Sequence, residues 1–519
     1  MMSVRSRTRI ALINLASEND DWPIVMVPLG LMYLSSALRR HFQDDIELRL
    51  FDMTLHRPEH GGLEEAGRFL VDFEPQIVCL RGFTTQASMF PRVASLAKSA
   101  RKDALVIAGG PHASTLSPDL IACDHIDLVA PREGEELIVD LVQAWLDGRD
   151  LATVAGVVGA GGFPGRRGPE RLLIADLDTI AHPDYSLLDL ERYQGKLTMT
   201  GFSSRNRFTS LFTSRGCHYA CTFCHDDFGK KVRYRSVTDV LAEMEFLIET
   251  RNVSEFHIVD DIFNADRDRA LQFFDEVIRR RWDLSFAFPN GLRADIMDEE
   301  FIEMARAAGV YHWALAVESA SPRIQKLIKK HNRLDKVRRA IDLSDRHGVF
   351  VCLFNMIGFP TETEEEMNRT IDFAIDAPAH MTMFFVATPF HGTELASQVA
   401  KLVPERPKIS DDLGYAHFNH ETEWFATMTP GELQHLVVEG YRRFYFEDLR
   451  RIDRMVELAN WGHGIPEIAN FVEVLVSAQG WSLADMPDRT LARHLSRLNR
   501  AAREQAPERC AHLPVLETP

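Results

Sequence analysis

The chain has 519 residues, 45% hydrophobic and 26% charged, with 76 acidic against 59 basic side chains and a formal net charge of −17. That length exceeds what one hydrophobic core supports and predicts two or three domains. The acidic excess argues against a nucleic-acid substrate, which calls for a basic surplus or stripe, and no uncharged apolar run approaches the roughly 18 residues of a membrane span.

The basic N-terminus, Met1 to Arg9, leads only into the short apolar run Ile10–Leu15, which reads as a first strand and not as a signal peptide. Further short apolar runs follow at Ile46–Phe51, Ile77–Leu80, Leu105–Ala108 and Leu128–Ala130, as expected of strands buried on both faces. Between them Leu31, Leu34 and Leu38, and then Leu137, Leu141 and Trp145, repeat at helical spacing. Five such units predict a doubly wound, Rossmann-like α/β domain over residues 1–160, with ligands beyond the carboxyl ends of its strands. Turn residues sit at those ends: Thr84-Thr85, Gly109-Gly110-Pro111-His112 and Glu133-Gly134-Glu135. Each alone reads as a tight strand-to-helix turn, although glycine also lets a ligand approach the backbone.

The Gly- and Pro-rich stretch Gly159–Pro169 marks a domain boundary, with residues 161–205 as linker. A second alternation then places strands at Phe208–Thr213, Phe256–Val259, Leu284–Phe288, Trp313–Val317, Val349–Phe354 and Met383–Ala387. Helical stretches at Val237–Thr250, Arg267–Arg281, Glu299–Ala308 and Glu364–Ala377 separate them. Six βα units over residues 206–400 predict a partial, TIM-like (β/α)6 barrel with its active residues at the C-terminal strand ends. Residues 401–519 lose the alternation and read as a helical, substrate-related region. Its aromatics, among them Trp424, Tyr441 and Tyr445, suit either a pocket or a core.

Directly after the first barrel strand stands Arg215-Gly216-Cys217-His218-Tyr219-Ala220-Cys221-Thr222-Phe223-Cys224, with cysteines spaced C-x₃-C-x₂-C. Seven cysteines, three of them crowded on this loop, do not make an even disulfide framework and point to a reducing cytoplasm. Three thiolates on one loop can hold three irons of a 4Fe–4S cubane, leaving the fourth iron open to a substrate or cofactor. The other metal reading is a zinc knuckle completed by His218 or His225, against which the spacing counts.

With Phe223 between its second and third cysteines, this stretch resembles the cluster loop of the radical S-adenosylmethionine superfamily. Val259–Phe263, Gly291–Asp295, Ala316–Ser321, Met356–Thr363 and Thr388–Thr393 resemble that family's strand-end segments in order, although His391 stands where the family often has proline. Pro28–Leu34, Gly109–Ala113 and Glu133–Glu135 resemble the cobalamin-binding domain found ahead of many such enzymes, with Arg132 where glycine is frequent. Asp176–Asp178 and His182–Asp184 resemble the bridge between the two domains.

The resemblance implies a 4Fe–4S cluster on Cys217, Cys221 and Cys224, together with S-adenosylmethionine and cobalamin. It implies that Phe223 lies near the adenine, that Glu318 and Ser319 make polar contacts to S-adenosylmethionine, and that Gly358 lets the backbone approach it. Thr84, Gly109, Gly110, His112, Glu133 and Gly134 are the implied cobalamin contacts. The N-terminal region lacks Asp-x-His-x-x-Gly, so the corrin is expected to bind without a histidine from that motif. Asp260 and Asp261 suit either ordering of a strand-end loop or capping, and Arg233 and Arg235 either function or pairing with the acidic surface. No catalytic side chain is singled out.

By the same resemblance the enzyme methylates an unactivated carbon, or a phosphorus, of a small molecule or natural-product intermediate. It does so through a 5′-deoxyadenosyl radical and methylcobalamin, with an electron donor such as flavodoxin or ferredoxin. The rival with the same cofactors is a cyclase or ring-rearranging enzyme. A methylthiolating RNA-modifying enzyme is disfavoured because the N-terminal region offers only Cys79 and Cys123 for a second cluster. A cobalamin-binding sensor would have no use for the three-Cys loop.

Overall fold

The computed structural model describes residues 7–515 apart from 18–23, 57–61, 162, 202, 206, 404–425, 460–463, 483–485 and 487. Trp424 therefore lies outside the described residues.

The first sheet contains β1 (Thr8–Asn14), β2 (Ile46–Asp52), β3 (Ile77–Arg81), β4 (Leu105–Gly109), β5 (Leu128–Ala130) and β6 (Val158–Gly159), in the order β2-β1-β3-β4-β5-β6. The first five strands are parallel and β6 runs antiparallel along the edge. Side chains alternate between the two faces of a strand, and here each face has its own core. Ala11, Ile13, Val78, Leu80 and Val106 join one cluster, while Ile10, Leu12, Ile77, Cys79 and Ile107 join the other. Burial on both faces explains the near-continuous apolar runs.

The Gly- and Pro-rich stretch is not a free linker. It folds back as a tight hairpin at the sheet edge, with Val158 bridging Arg167 and the Gly159 amide donating to Arg166 O at 2.8 Å. A Cβ on Gly159 would fall 2.0 Å from Phe163 O, and one on Gly168 1.9 Å from Val154 O. The glycines here serve close packing. The bridge proper comes after it, where Asp176, Asp184 and Asp189 each accept the backbone N–H two residues on and so start a short 3-10 turn.

After β7 (Phe208–Leu211), the ribbon β8 (Ser214–Arg215) and β9 (Arg233–Tyr234) brackets the cysteine loop. Then follow β10 (Glu255–Ile258), β11 (Ser285–Leu292), β12 (Val310–Glu318), β13 (Phe350–Ile357) and β14 (Met381–Val386). Their sheet runs β14-β13-β12-β11-β10-β7, parallel throughout, which is the six-unit partial barrel expected from sequence.

A partial barrel leaves strand edges that need cover. At β14 the cover is the C-terminal helix Pro430–Phe446. Tyr445 Oη accepts the Thr382 amide at 2.8 Å and Tyr441 Oη accepts the Phe384 amide at 2.9 Å. Both tyrosines are fully buried, so they belong to the core and not to a pocket. Among the described residues no helix is long and apolar enough to cross a membrane.

Candidate functional site

The cysteine loop is held in place by neighbouring strand ends. The Cys217 amide donates to Gly229 O at 3.1 Å, and the Gly216 amide to Asp261 Oδ2 at 2.8 Å. Asp260 accepts from the Thr213 amide and from the hydroxyls of Thr213 and Ser214, all within 2.6 Å. The two aspartates after β10 thus organise the loop. Gly216 has φ +94°, and a Cβ there would lie 2.6 Å from Lys231 O, so only glycine fits.

All three cysteines are free thiols facing one cavity. Among the described residues, the metal-ligating atoms of a trio approach within 4.8 Å of one another only at Glu299, Glu303 and His347. The three cysteine sulfurs do not form such a compact trio, although Cys221 and Cys224 lie close enough to hydrogen-bond to each other. His225 Nε2 lies 3.1 Å from His391 O, and the His218 ring packs on Tyr219.

Hydrogen bonding from Cys224 and the nearby Lys330 ammonium lower the Cys221 thiol, against the effect of burial. The other two shift the opposite way, Cys217 raised by burial and Cys224 by its hydrogen bond to Cys221 and by burial. Lys330 pairs with Glu318 at 3.0 Å. Burial would lower the Lys330 pKa, but Glu318 and the Cys221 and Cys224 sulfurs outweigh it and the pKa is raised, so the ammonium persists. Glu318 sits at φ +63°, where the β12–β13 register shifts, and this left-handed kink turns its carboxylate to the cavity.

Other barrel residues divide. Phe223 lines the cavity with its ring 6.1 Å from Phe359. Ser319 is fully buried outside the lining, its hydroxyl bonded to Thr370 and to the Ser321 amide. Gly358, at φ +85°, makes room for Leu433, which a Cβ would meet at 3.0 Å.

On the other side, Gly109, Gly110 and Gly134 form a cavity wall beyond the carboxyl ends of β4 and β5. Gly110 has φ +85° and a Cβ would strike Arg81 Cγ at 2.9 Å. Thr85 and Gln86 line the wall, whereas Thr84 and His112 are buried outside the lining, His112 with its ring 5.3 Å from Phe90.

Glu133 faces the cavity, but its carboxylate is engaged by Arg215 at 3.0 Å, by Arg233 at 2.9 Å and by the Ile174 amide at 2.7 Å. Glu135 takes the other Arg215 nitrogen at 2.6 Å. All four side chains are less than a tenth exposed. Arg233 and Arg235 therefore do not pair with the acidic surface: Arg235 binds Asp239 and the fully buried Glu243. The pairing of Arg215 with Glu135 and of Lys330 with Glu318 carried no local sequence signal, since the first joins residues 80 positions apart.

Asp227 is a further cavity acid missed by sequence reading. Burial and the neighbouring Asp261 push it up to about 7.

The cavity joining both walls measures about 1370 Å³. That exceeds the roughly 300–1,000 Å³ of a usual small-molecule pocket and leaves room for more than one group. Gly109, Gly110 and Gly134 bring backbone to one wall, where a corrin edge fits, and the three thiols face the cavity from the other.

Residues 23–142 match the B12 binding domain and residues 211–374 the radical SAM superfamily. An uncharacterized methyltransferase of Pyrococcus horikoshii, PH0819, is 30% identical over 71% of this chain and 77% of its own length. An anaerobic magnesium-protoporphyrin IX monomethyl ester cyclase of Rubrivivax gelatinosus is 26% identical over 82% of this chain and 74% of its own. The solved structure of the radical S-adenosylmethionine methyltransferase TsrM from Kitasatospora setae, with cobalamin and [4Fe-4S] cluster bound, shares the fold at a TM-score of 0.69. It is 20% identical and covers 96% of this chain and 100% of that one. Fold and site define a two-domain enzyme with a three-cysteine loop facing a B12-binding sheet across one cavity. The chain belongs to the cobalamin-dependent radical S-adenosylmethionine enzymes, and its cofactors are those of that family.

Proposed function

We propose that this enzyme transfers a methyl group to an unactivated carbon, or a phosphorus, of a small molecule or natural-product intermediate. The observation that carries the reading is the single cavity bounded by Cys217, Cys221 and Cys224 on one wall and by Gly109, Gly110 and Gly134 on the other. When bound, the cluster and S-adenosylmethionine supply a hydrogen-abstracting radical, and cobalamin supplies a methyl carrier.

The chain's own residues position and shield. The buried Arg215–Glu133–Arg233 seam fixes the cluster loop against the B12-binding sheet. Lys330 places a positive charge beside the thiols, and Glu318 holds that ammonium in place. The position of the cavity between two domains limits the access of water to reactive species. An electron donor such as flavodoxin or ferredoxin in the cytoplasm completes the proposal.

Turnover with the true substrate should yield S-adenosylhomocysteine and 5′-deoxyadenosine in about equal amounts, both tracking a product heavier by one methyl group. The cyclase relative favours a second reading with the same cofactors. A product of unchanged carbon count, with 5′-deoxyadenosine but no matching S-adenosylhomocysteine, would establish that reading and overturn methyl transfer.

A further inference from the structure

The cavity does not stop at the strand ends. It continues down the inside of the open barrel along β13 and β14, where opposed residues form three layers: Cys352 with Met381, Phe354 with Met383, and Met356 with Phe385. At about 3.3 Å per residue, Met381 to Val386 spans roughly 16 Å.

The floor of this tunnel is the segment Met199–Gly201. Gly201 lies against Met381, a Cβ there falling 3.7 Å from its methyl group. The chain just beyond is pinned under the barrel, with the Arg205 amide donating to Glu255, the first residue of β10, at 2.6 Å. The Thr200 hydroxyl is already bonded to Thr198 at 2.7 Å.

Closed barrels of this type fill their interior with layers of bulky branched side chains. Here Ala316 and Gly291 are small, and three of the six layer residues are methionines. Methionine is flexible and polarizable and moulds to varied apolar partners. Charge gathers at the mouth: Arg81, Glu133, Arg293 and Glu318 stand at or just beyond strand ends, Asp227 is on the cysteine loop and Lys330 pairs with Glu318, and the β13, β14 and floor lining carries no charged side chain.

We propose that the substrate carries an elongated, uncharged apolar segment that threads down this tunnel, leaving its reacting position at the mouth between the two cofactor walls. This deepens the methyl-transfer reading by naming the substrate class and rests on it for the placement of the reacting end. An uncharged segment in an uncharged tunnel avoids the desolvation cost that a phosphate or carboxylate would meet there. Binding strength should then come from buried methylene groups.

The test is calorimetric titration of the reconstituted holoenzyme, without reductant, with straight-chain primary alcohols of about four to ten carbons. Affinity should rise about fourfold per added methylene until the tunnel is full, then level off. Met381→Trp raises the floor and should bring the plateau to shorter alcohols while leaving the shortest members unaffected. Cys352→Leu, a milder change in the same layer, should do the same in smaller measure if the tryptophan variant fails to fold.

Affinity independent of chain length overturns the proposal. So does a length dependence that neither substitution changes, because the alcohols would then bind elsewhere. Turnover plays no part in this readout, so a cyclase product would sink methyl transfer and leave the tunnel assignment standing, and the reverse also holds.

Discussion

At the scale of single residues, the cysteine loop was fully legible because its chemistry is local: three thiols on ten residues need no tertiary partner to be recognised. Replacing Cys217, Cys221 and Cys224 together by Ala should abolish the cluster's absorption and all 5′-deoxyadenosine formation. The circular dichroism of the fold should remain, since the barrel core does not include these side chains. Iron and sulfide retained in full by that triple variant would refute the ligand assignment. What could not be read was the company each residue keeps. Glu318 stood out by its place in a strand-end segment, but its partner Lys330 did not. Glu362 is a sharper case, since its conversion to a buried loop organiser depends wholly on burial. One carboxylate oxygen accepts the amides of Gly358 and Phe359 at 2.7 and 3.0 Å, and burial pushes the group up to about 8. A raised folded-state pKa stabilises the fold below the unfolded value of 4.5, and that contribution is lost as pH rises through about 8. Glu362→Gln keeps an acceptor for both amides and never ionises. It should match the parent near pH 4.5 and exceed it near pH 8 by on the order of a few kcal/mol. Equal denaturation midpoints at both pH values would show that the carboxylate is not held neutral.

At the scale of elements, strands buried on both faces announced themselves as apolar runs, and β5 matched to the residue. The edges did not announce themselves. Val158–Gly159 is too short to register as a strand, and the glycines around it looked like a linker because close backbone approach and flexibility use the same residue. Tyr441 and Tyr445 were ambiguous for a related reason. A tyrosine on a buried helix face can line a pocket or cap a strand, and only the position of β14 decides. Their hydroxyls satisfy two backbone amides that have no strand beyond them among the described residues. Tyr445→Phe leaves the Thr382 amide buried without its acceptor and also removes the bond to Thr382 O at 3.0 Å. It should cost about 1–3 kcal/mol and speed hydrogen exchange at Thr382 more than at Cys352, which sits one strand further in. Uniform exchange across both strands would mean that the helix stabilises the barrel by apolar packing alone.

At the scale of the whole molecule, two domains that sequence could only place in order are joined by a buried ionic seam and by an apolar contact in which Val25, Val27, Leu29, Met32 and Tyr33 cluster with the barrel core. Arg215 lies one residue before the glycine of the cluster loop and reaches Glu133 and Glu135 of the B12-binding domain, between the rings of Tyr33 and Phe228. Arg233 shares Glu133, and the bridge segment adds Ser35 to Asp184 at 2.6 Å and Tyr193 to Asp52 at 2.5 Å. Removing one member of a buried pair strands a charge out of water, which is far more costly than losing a surface pair. Glu133→Ala strands Arg233 and half of Arg215, so it should destabilise the docked arrangement by about 3–5 kcal/mol. Arg369→Ala, at a pair exposed on a helix surface with its nitrogen 2.7 Å from Glu365, should cost well under 1 kcal/mol. Because the B12-binding sheet keeps a core on each face apart from the barrel cluster that Leu29, Met32 and Tyr33 join, the loss at Glu133 should appear first as undocking. Hydrogen exchange should quicken along Leu29–Phe42 and Leu177–Tyr193 before it does in β3 or β12, and protease should cut the bridge first. Simultaneous quickening in all of these segments would show that the domains unfold as one cooperative unit, and the seam would then be a part of a common core instead of the joint between two.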